Sequence, residues 1–175
     1  MSIDHLLIVT SEPKSVFLEI LFKYFKAKKI EKKKKKITLI GNTYLILKEA
    51  KKLKFKKKFN EILKISDAKE NMLNIINVEH RNLSNISNNF SNYISNSFDT
   101  SLNIIQNNKN IALLNGPINK KSFLKKKYLG ITEYLAHKTK SKFPVMLIYN
   151  KRLSVSPITT HLPINQVAKN LSKKK

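Results

Sequence analysis

Apolar and polar positions alternate along this chain in two kinds of block. Leu6 to Thr10 (LLIVT) is a short apolar run that suits a buried strand. From Ser15 to Lys26, Val16, Phe17, Ile20, Leu21 and Tyr24 recur at helical spacing. Ile37 to Ile40 (ITLI) reads as a second strand, closed by Gly41, and Thr43 to Leu53 again shows a helical pattern. Strand, helix, strand, helix in that order predicts an α/β fold, with a mostly parallel sheet flanked by helices.

Asn82 to Asn110 is rich in Asn and Ser, yet Leu83, Ile86, Phe90, Tyr93, Ile94, Phe98 and Leu102 fall three or four apart for most of its length. That stripe predicts a long amphipathic helix in spite of the poor helix propensity of Asn. Ile111 to Leu114 (IALL) is a further buried strand, running into the turn Asn115-Gly116-Pro117. A helix is expected over part of Asn119 to Lys127. Gly130 breaks the chain, and Thr132 suits the N-cap of a helix through Lys138. Val145 to Tyr149 and Leu153 to Ser156 read as two strands joined at Asn150 and Lys151. Pro163 fits the first position of a last helix, where Ile164, Val167, Ala168 and Leu171 recur at i, i+3, i+4 and i+7. No internal repeat is visible.

Composition narrows the picture. At 175 residues, 41% hydrophobic, the chain has enough material for one domain with a real core. The formal net charge of +24 first suggests a nucleic-acid partner. However, all but two of the 35 basic residues are lysine, the exceptions being Arg81 and Arg152. Base- and phosphate-reading surfaces favour the planar fork of arginine. The lysine, asparagine and isoleucine bias instead reads as a composition shaped by AT-rich codons, with runs such as Lys32 to Lys36 and Lys56 to Lys58 as solvated loops. Nucleic acid is therefore not the expected partner. There is no cysteine, so disulfides and thiolate metal sites are excluded. No apolar run approaches the length of a membrane span, and the start, MSIDHLLIVTSEP, lacks the basic opening of a signal peptide. A cytoplasmic location is the expectation.

Two loops follow strands in the way that ligand-binding loops of open α/β sheets do: NGPINKKSF after IALL, and TTHLP after LSVSPI. His161, at a strand end and helix mouth, suits a metal ligand or a proton carrier, or simply a loop in which Thr159 or Thr160 caps the helix. A single histidine cannot hold a catalytic metal, and His5, His80 and His137 have no ligand spacing with it. Gly116 allows close backbone approach, and Lys120 could reach a phosphate; an ordinary tight turn explains the same residues. Thr132 could serve a phosphate at a helix N-terminus, or only cap it. With three glycines in the chain, neither GxGxxG nor a Walker motif occurs.

Taken together, ALLNGPINKKSF, GITEYLAHKT and TTHLPINQVAKNL come in an order and at distances that resemble the 4-hydroxythreonine-4-phosphate dehydrogenase family of pyridoxal phosphate (vitamin B6) biosynthesis. The opening IVTSEPKSVFLEI looks like that family's Gly-Glu-Pro segment, with Glu12, Pro13, Glu19 and Ile20 in register. The resemblance is strong from about Ile111 to Leu171 and faint between Lys28 and Lys109.

It implies a fold similar to isocitrate and isopropylmalate dehydrogenases, with two α/β domains around a cleft and a homodimeric assembly. Residues 1–175 would then be the N-terminal half, leaving the fold incomplete. It implies NAD-dependent oxidation of 4-phosphooxy-L-threonine, followed by decarboxylation, with a divalent metal (Zn, Mg or Co). His161 would be one metal ligand, Thr132 would contact the phosphorylated amino-acid substrate, and Lys120 would suit its phosphate. The remaining metal ligands and most of the NAD site would come from a half not in this chain, so a complementing C-terminal half is an expected partner. Ile131 stands where the family has a substrate-binding histidine, which favours an alternative: a non-catalytic remnant with a binding or structural role. A basic RNA-associated protein is a third possibility, disfavoured by the scarcity of arginine.

Overall fold

In the computed structural model, residues 2–27, 35–80, 90–125, 127–159 and 162–171 are described. They form two compact units, 1–123 and 124–175. The first holds a five-stranded parallel sheet. Its elements, in chain order, are β1 (His5–Val9), α1 (Phe17–Ala27), β2 (Lys36–Gly41), α2 (Thr43–Lys52), β3 (Phe59–Glu61), β4 (Leu73–Asn77), α3 (Ser91–Gln106) and β5 (Ile111–Asn115). The strand order is β3-β4-β2-β1-β5, with every neighbouring pair parallel. The expected α/β fold with a mostly parallel sheet is therefore present.

Alternation along the strands sorts their side chains onto two faces. Ile8, Leu39, Leu73 and Ile75 pack with Leu18, Leu21, Phe22 and Phe25 of α1 and with Ile46 and Ala50 of α2. Phe22, Phe55 and Phe59 close this core, their ring centroids 4.7 to 6.1 Å apart. On the other face, α3 packs on β1, β2 and β5 through buried Tyr93, Ile94, Phe98 and Leu102. Ser97 and Ser101 lie fully buried on the same helix, each hydroxyl donating to the carbonyl four residues earlier. These small residues satisfy themselves and add little bulk to the packed face. Crossovers run from β1 toward β2 and from β4 toward β5, in opposite directions across the sheet. Right-handed connections then put their helices on opposite faces.

Two expectations are corrected here, and two strands are added. The strands β3 and β4 were not foreseen. The long helix is α3, ending at Gln106 and not Asn110, because Asn107 and Asn108 turn their side chains back onto the carbonyls of Asn103 and Ile104. Its expected opening lies partly in 81–89, outside the described residues. The two strands at Val145 to Tyr149 and Leu153 to Ser156 reduce to one antiparallel bridge, Ile148 with Val155.

The second unit carries α4 (Ile131–Lys138), that bridged hairpin and α5 (Ile164–Asn170). Pro163 caps α5 instead of opening it, since its extended ψ of 143° lies outside the helical range. Phe143, Val145, Leu147, Tyr149, Leu153 and Ile164 of this unit are all exposed. No helix among the described residues is long and apolar enough to cross a membrane.

Candidate active site

The order of strand addition reverses at β1: the chain next adds β2 on one side, and β5 comes later on the other. In open parallel sheets, ligands gather at such a point, beyond the carboxyl ends of the strands. Here that crevice is flanked by Thr10, Ser11 and Glu12 after β1, and by Gly116, Pro117, Ile118 and Asn119 after β5. A hollow of about 520 Å³ also opens at the opposite edge, lined by Asp4, His5, Lys36, Glu70 and Lys109 among others. It lies at the amino ends of β1 and β2, away from the edge where such sheets bind.

The two loops are tied together. The Gly116 N–H donates to the Val9 carbonyl (2.9 Å) and the Glu12 N–H to the Pro117 carbonyl (3.2 Å). A Cβ on Gly116 would lie 2.7 Å from the Phe17 ring, so only glycine lets this turn approach the start of α1. Ser11 is fully buried with φ of 55°, a left-handed conformation that turns the chain sharply out of β1. Ser15 then donates to the Glu12 carbonyl through both its N–H (3.1 Å) and its hydroxyl (2.8 Å).

Glu12 is partly buried, and burial raises its carboxyl pKa above the usual glutamate range; the nearby Asn119 backbone N–H and Lys14 pull in the other direction. Asn119 opens a π-helical turn, Lys120–Leu124, by accepting from the N–H groups of Lys121 (3.1 Å) and Ser122 (3.2 Å). Lys120 is the exposed first residue of that turn.

A second polar knot joins the carboxyl ends of β1 and β2. The Tyr93 hydroxyl accepts from the Asn42 N–H (3.0 Å) and pairs with Thr10 Oγ1 (3.2 Å). Burial holds the Tyr93 pKa above its ordinary value, so the group stays a phenol. A Cβ at Gly41 would strike Thr10 Oγ1 and lie 2.8 Å from the Tyr93 oxygen. Asn42 caps α2, its side chain accepting from the Leu45 N–H.

The residues expected to form a site are distributed as follows. Lys120 belongs to the first unit and Thr132 to the second. Thr132 is not the N-cap. Gly130 holds that position in extended conformation, and Thr132 is the second residue of α4. Because Tyr134 is the first residue to bond back, to the Gly130 carbonyl, the Thr132 N–H has no partner within the helix. Ile131, half-buried, opens α4. His161 lies outside the described residues. Among those residues no group of three His, Asp or Glu could hold a metal. The other histidines are engaged singly: His5 with Thr38, His80 against the Phe90 and Tyr93 rings, and His137 with the Tyr128 hydroxyl. The described residues therefore do not fit a resident metal on their own.

Sequence reasoning missed Tyr93 and Asn42 as site-edge residues. Tyr93 read only as part of an apolar helical stripe, and Asn42 fell between the strand that ends at Gly41 and the helix that starts at Thr43, with no role read for it. Their partners stand 51 positions apart, and no local pattern reports such a pairing.

The family model for the pyridoxal phosphate biosynthetic protein PdxA matches residues 33–175. No curated protein matches the chain. Among solved structures, the chain is similar to a 4-hydroxythreonine-4-phosphate dehydrogenase from Burkholderia phymatum, with a TM-score of 0.79 and 20% identity, covering 97% of this chain and 54% of that one. A putative enzyme of the same name from Salmonella typhimurium gives 0.75 and 17%, covering 97% and 55%. The Klebsiella pneumoniae enzyme gives 0.75 and 17%, covering 99% and 55%. At these identities the likeness establishes the fold, and the chain spans about half the length of these structures.

Proposed function

The chain belongs to the PdxA family of pyridoxal phosphate biosynthetic proteins, and from that membership we propose that it supplies the N-terminal half of a 4-hydroxythreonine-4-phosphate dehydrogenase. The proposed reaction is oxidation of the 3-hydroxyl of 4-phosphooxy-L-threonine. Hydride passes to NAD, the hydroxyl proton is lost, and the β-keto acid formed then releases carbon dioxide. The observation that carries this reading is the Gly116–Lys120 loop, which sits at the reversal point of the parallel sheet, where such folds bind ligands.

In this reading Lys120 faces the substrate phosphate, a charge-assisted contact made at the mouth of a turn whose backbone Asn119 fixes. Thr132, in the second unit, is assigned as a substrate contact through its hydroxyl and its first-turn N–H. His161 is assigned as one ligand of a divalent metal, which would polarise the substrate oxygen. Its companion ligands and the NAD contacts are assigned to a complementing C-terminal half. A homodimer, or a pairing with that half, would cover the exposed apolar residues of the second unit. Such an enzyme would work in the cytoplasm.

Ile131 favours a second reading, a non-catalytic relative, because isoleucine can neither donate, accept nor ligate at the first residue of α4. One experiment separates the two. The purified chain is mixed with the C-terminal half of the Burkholderia phymatum enzyme, and NADH is followed with 4-phosphooxy-L-threonine as substrate. The dehydrogenase reading predicts no NADH from the chain alone and turnover from the mixture, improved by Ile131→His. An inert mixture that Ile131→His does not rescue supports the non-catalytic reading.

A further inference from the structure

The hollow at the amino ends of the strands takes one charge from each strand opening. Asp4 precedes β1, Lys36 opens β2, Lys109 precedes β5, and Glu70 lies in the loop that leads into β4. Across the sheet, in the order β4-β2-β1-β5, the signs alternate: Glu70, Lys36, Asp4, Lys109. Neighbouring strands stand about 4.8 Å apart, yet none of these four side chains makes an ion pair among the described residues. The hollow measures about 520 Å³, inside the range of about 300–1,000 Å³ that small-molecule sites span.

Its walls are held by main-chain and buried side-chain bonds. The Asn110 carbonyl accepts from the N–H groups of Asp4 (3.2 Å) and His5 (3.4 Å), and the Asp4 carbonyl accepts from the Lys36 N–H (3.0 Å). On the β4 side, buried Asn74 grips the backbone of Lys69, next to Glu70. It accepts from the Lys69 N–H (2.8 Å) and donates to the Lys69 carbonyl (2.9 Å). His5 lines the hollow although it is buried. Its Nε2 pairs with Thr38 Oγ1 at 2.8 Å. Its Nδ1 has no partner among the described residues and is not sealed in the core, so it is the polar atom that His5 presents to the hollow.

We propose that this hollow is a second binding site, separate from the crevice at the carboxyl edge, and that its ligand is a small zwitterion, a free α-amino acid. The alternation of charge selects that class. A simple anion would meet the carboxylates of Asp4 and Glu70 as well as the two lysines, and a simple cation would meet the reverse. A ligand with an ammonium and a carboxylate on one carbon satisfies both signs at once and brings no net charge. Its carboxylate is assigned to Lys36 and Lys109, its ammonium to Asp4 and Glu70, and a hydrogen bond with His5 Nδ1 orients it. The assignment does not rest on the dehydrogenase reading: every residue it uses lies in the first unit, at the opposite edge of the sheet from the Lys120 loop.

The test titrates the full chain, labelled with nitrogen-15, with L-alanine, L-threonine and L-glutamate. It follows the amides of His5, Lys36, Glu70 and Lys109 and the His5 ring. At least one of the three amino acids is expected to give a saturable shift centred on these residues below about 10 mM. Two analogues of the best ligand each strip one charge: the hydroxy acid lacks the ammonium, and the amino-acid amide lacks the carboxylate. Each is expected to bind at least about tenfold more weakly. Lys109→Ala and Glu70→Gln, which leave the His5–Thr38 and Asn74 bonds in place, are expected to weaken the amino acid by a similar factor. No saturable shift with any of the three amino acids overturns the proposal, as does unchanged binding in both variants. Equal binding of either analogue also overturns it, by making the hollow a plain anion or cation site. Should the variants fail to fold, the comparison of analogues on the wild-type chain decides alone.

Discussion

His5 shows how one buried residue ties stability to pH. Its Nε2 pairs with Thr38 Oγ1 at 2.8 Å, and burial first, then Lys36, holds its pKa below the usual histidine value, with Asp4 opposing. The folded chain thus prefers the neutral ring. The stability this contributes is present above the ordinary histidine pKa and is lost as pH falls through that value toward the lower folded one. The thermal midpoint of the wild type is expected to drop over that window, and His5→Gln to flatten the drop; equal slopes in both proteins would refute it. Tyr93 offers a second test at this scale. Tyr93→Phe leaves the buried Asn42 N–H without its acceptor and should cost about 1–3 kcal/mol in urea unfolding. A loss well below that range would mean that water or a shifted Thr10 hydroxyl replaces the phenol.

At the scale of elements, the sequence made the βαβ start and the IALL strand legible because their apolar runs are short, β-branched and bounded by turns. The strand β4, Leu73–Asn77, was not legible because it buries an asparagine. Asn74 is fully buried, donates to the carbonyls of Ile37 and Lys69, and accepts from the Lys69 N–H and from Asn60. A residue that is poor in strands is here the centre of a network joining β2, β3, β4 and the Lys69 loop. Asn74→Leu, similar in size, is therefore expected to destabilise the chain by roughly 2–4 kcal/mol, since it strands several buried partners at once. A stability within about 0.5 kcal/mol of the wild type would show the network to be replaceable. The hairpin around Ile148 and Val155 failed the opposite way. Its apolar run Val145 to Tyr149 and the segment Leu153 to Ser156 read as paired strands, but two isolated segments with no third strand hold only a single bridge. Thr132 moved from cap to first turn because extended Gly130 took the cap position.

At the scale of the whole molecule, the first unit has a two-faced core and the second leaves much of its apolar surface in water. The candidate site was legible in its loops, through the Gly116–Lys120 turn, and not in its couplings, since the Glu12 N–H and the Pro117 carbonyl it bonds lie more than a hundred positions apart. Light scattering of the chain alone should show self-association that diminishes when a C-terminal half is added. A monodisperse monomer with the second unit exposed would count against the need for a partner. The proposed function requires this chain to provide a working phosphate-facing loop to a dehydrogenase. Steady-state NADH formation by the mixed halves, with Lys120 intact and with Lys120→Ala, measures it most directly. Turnover is expected with the wild-type chain, with the KM for 4-phosphooxy-L-threonine raised at least about tenfold by Lys120→Ala and kcat changed far less. Absence of NADH with the wild-type chain, or an unchanged KM in Lys120→Ala, would contradict it.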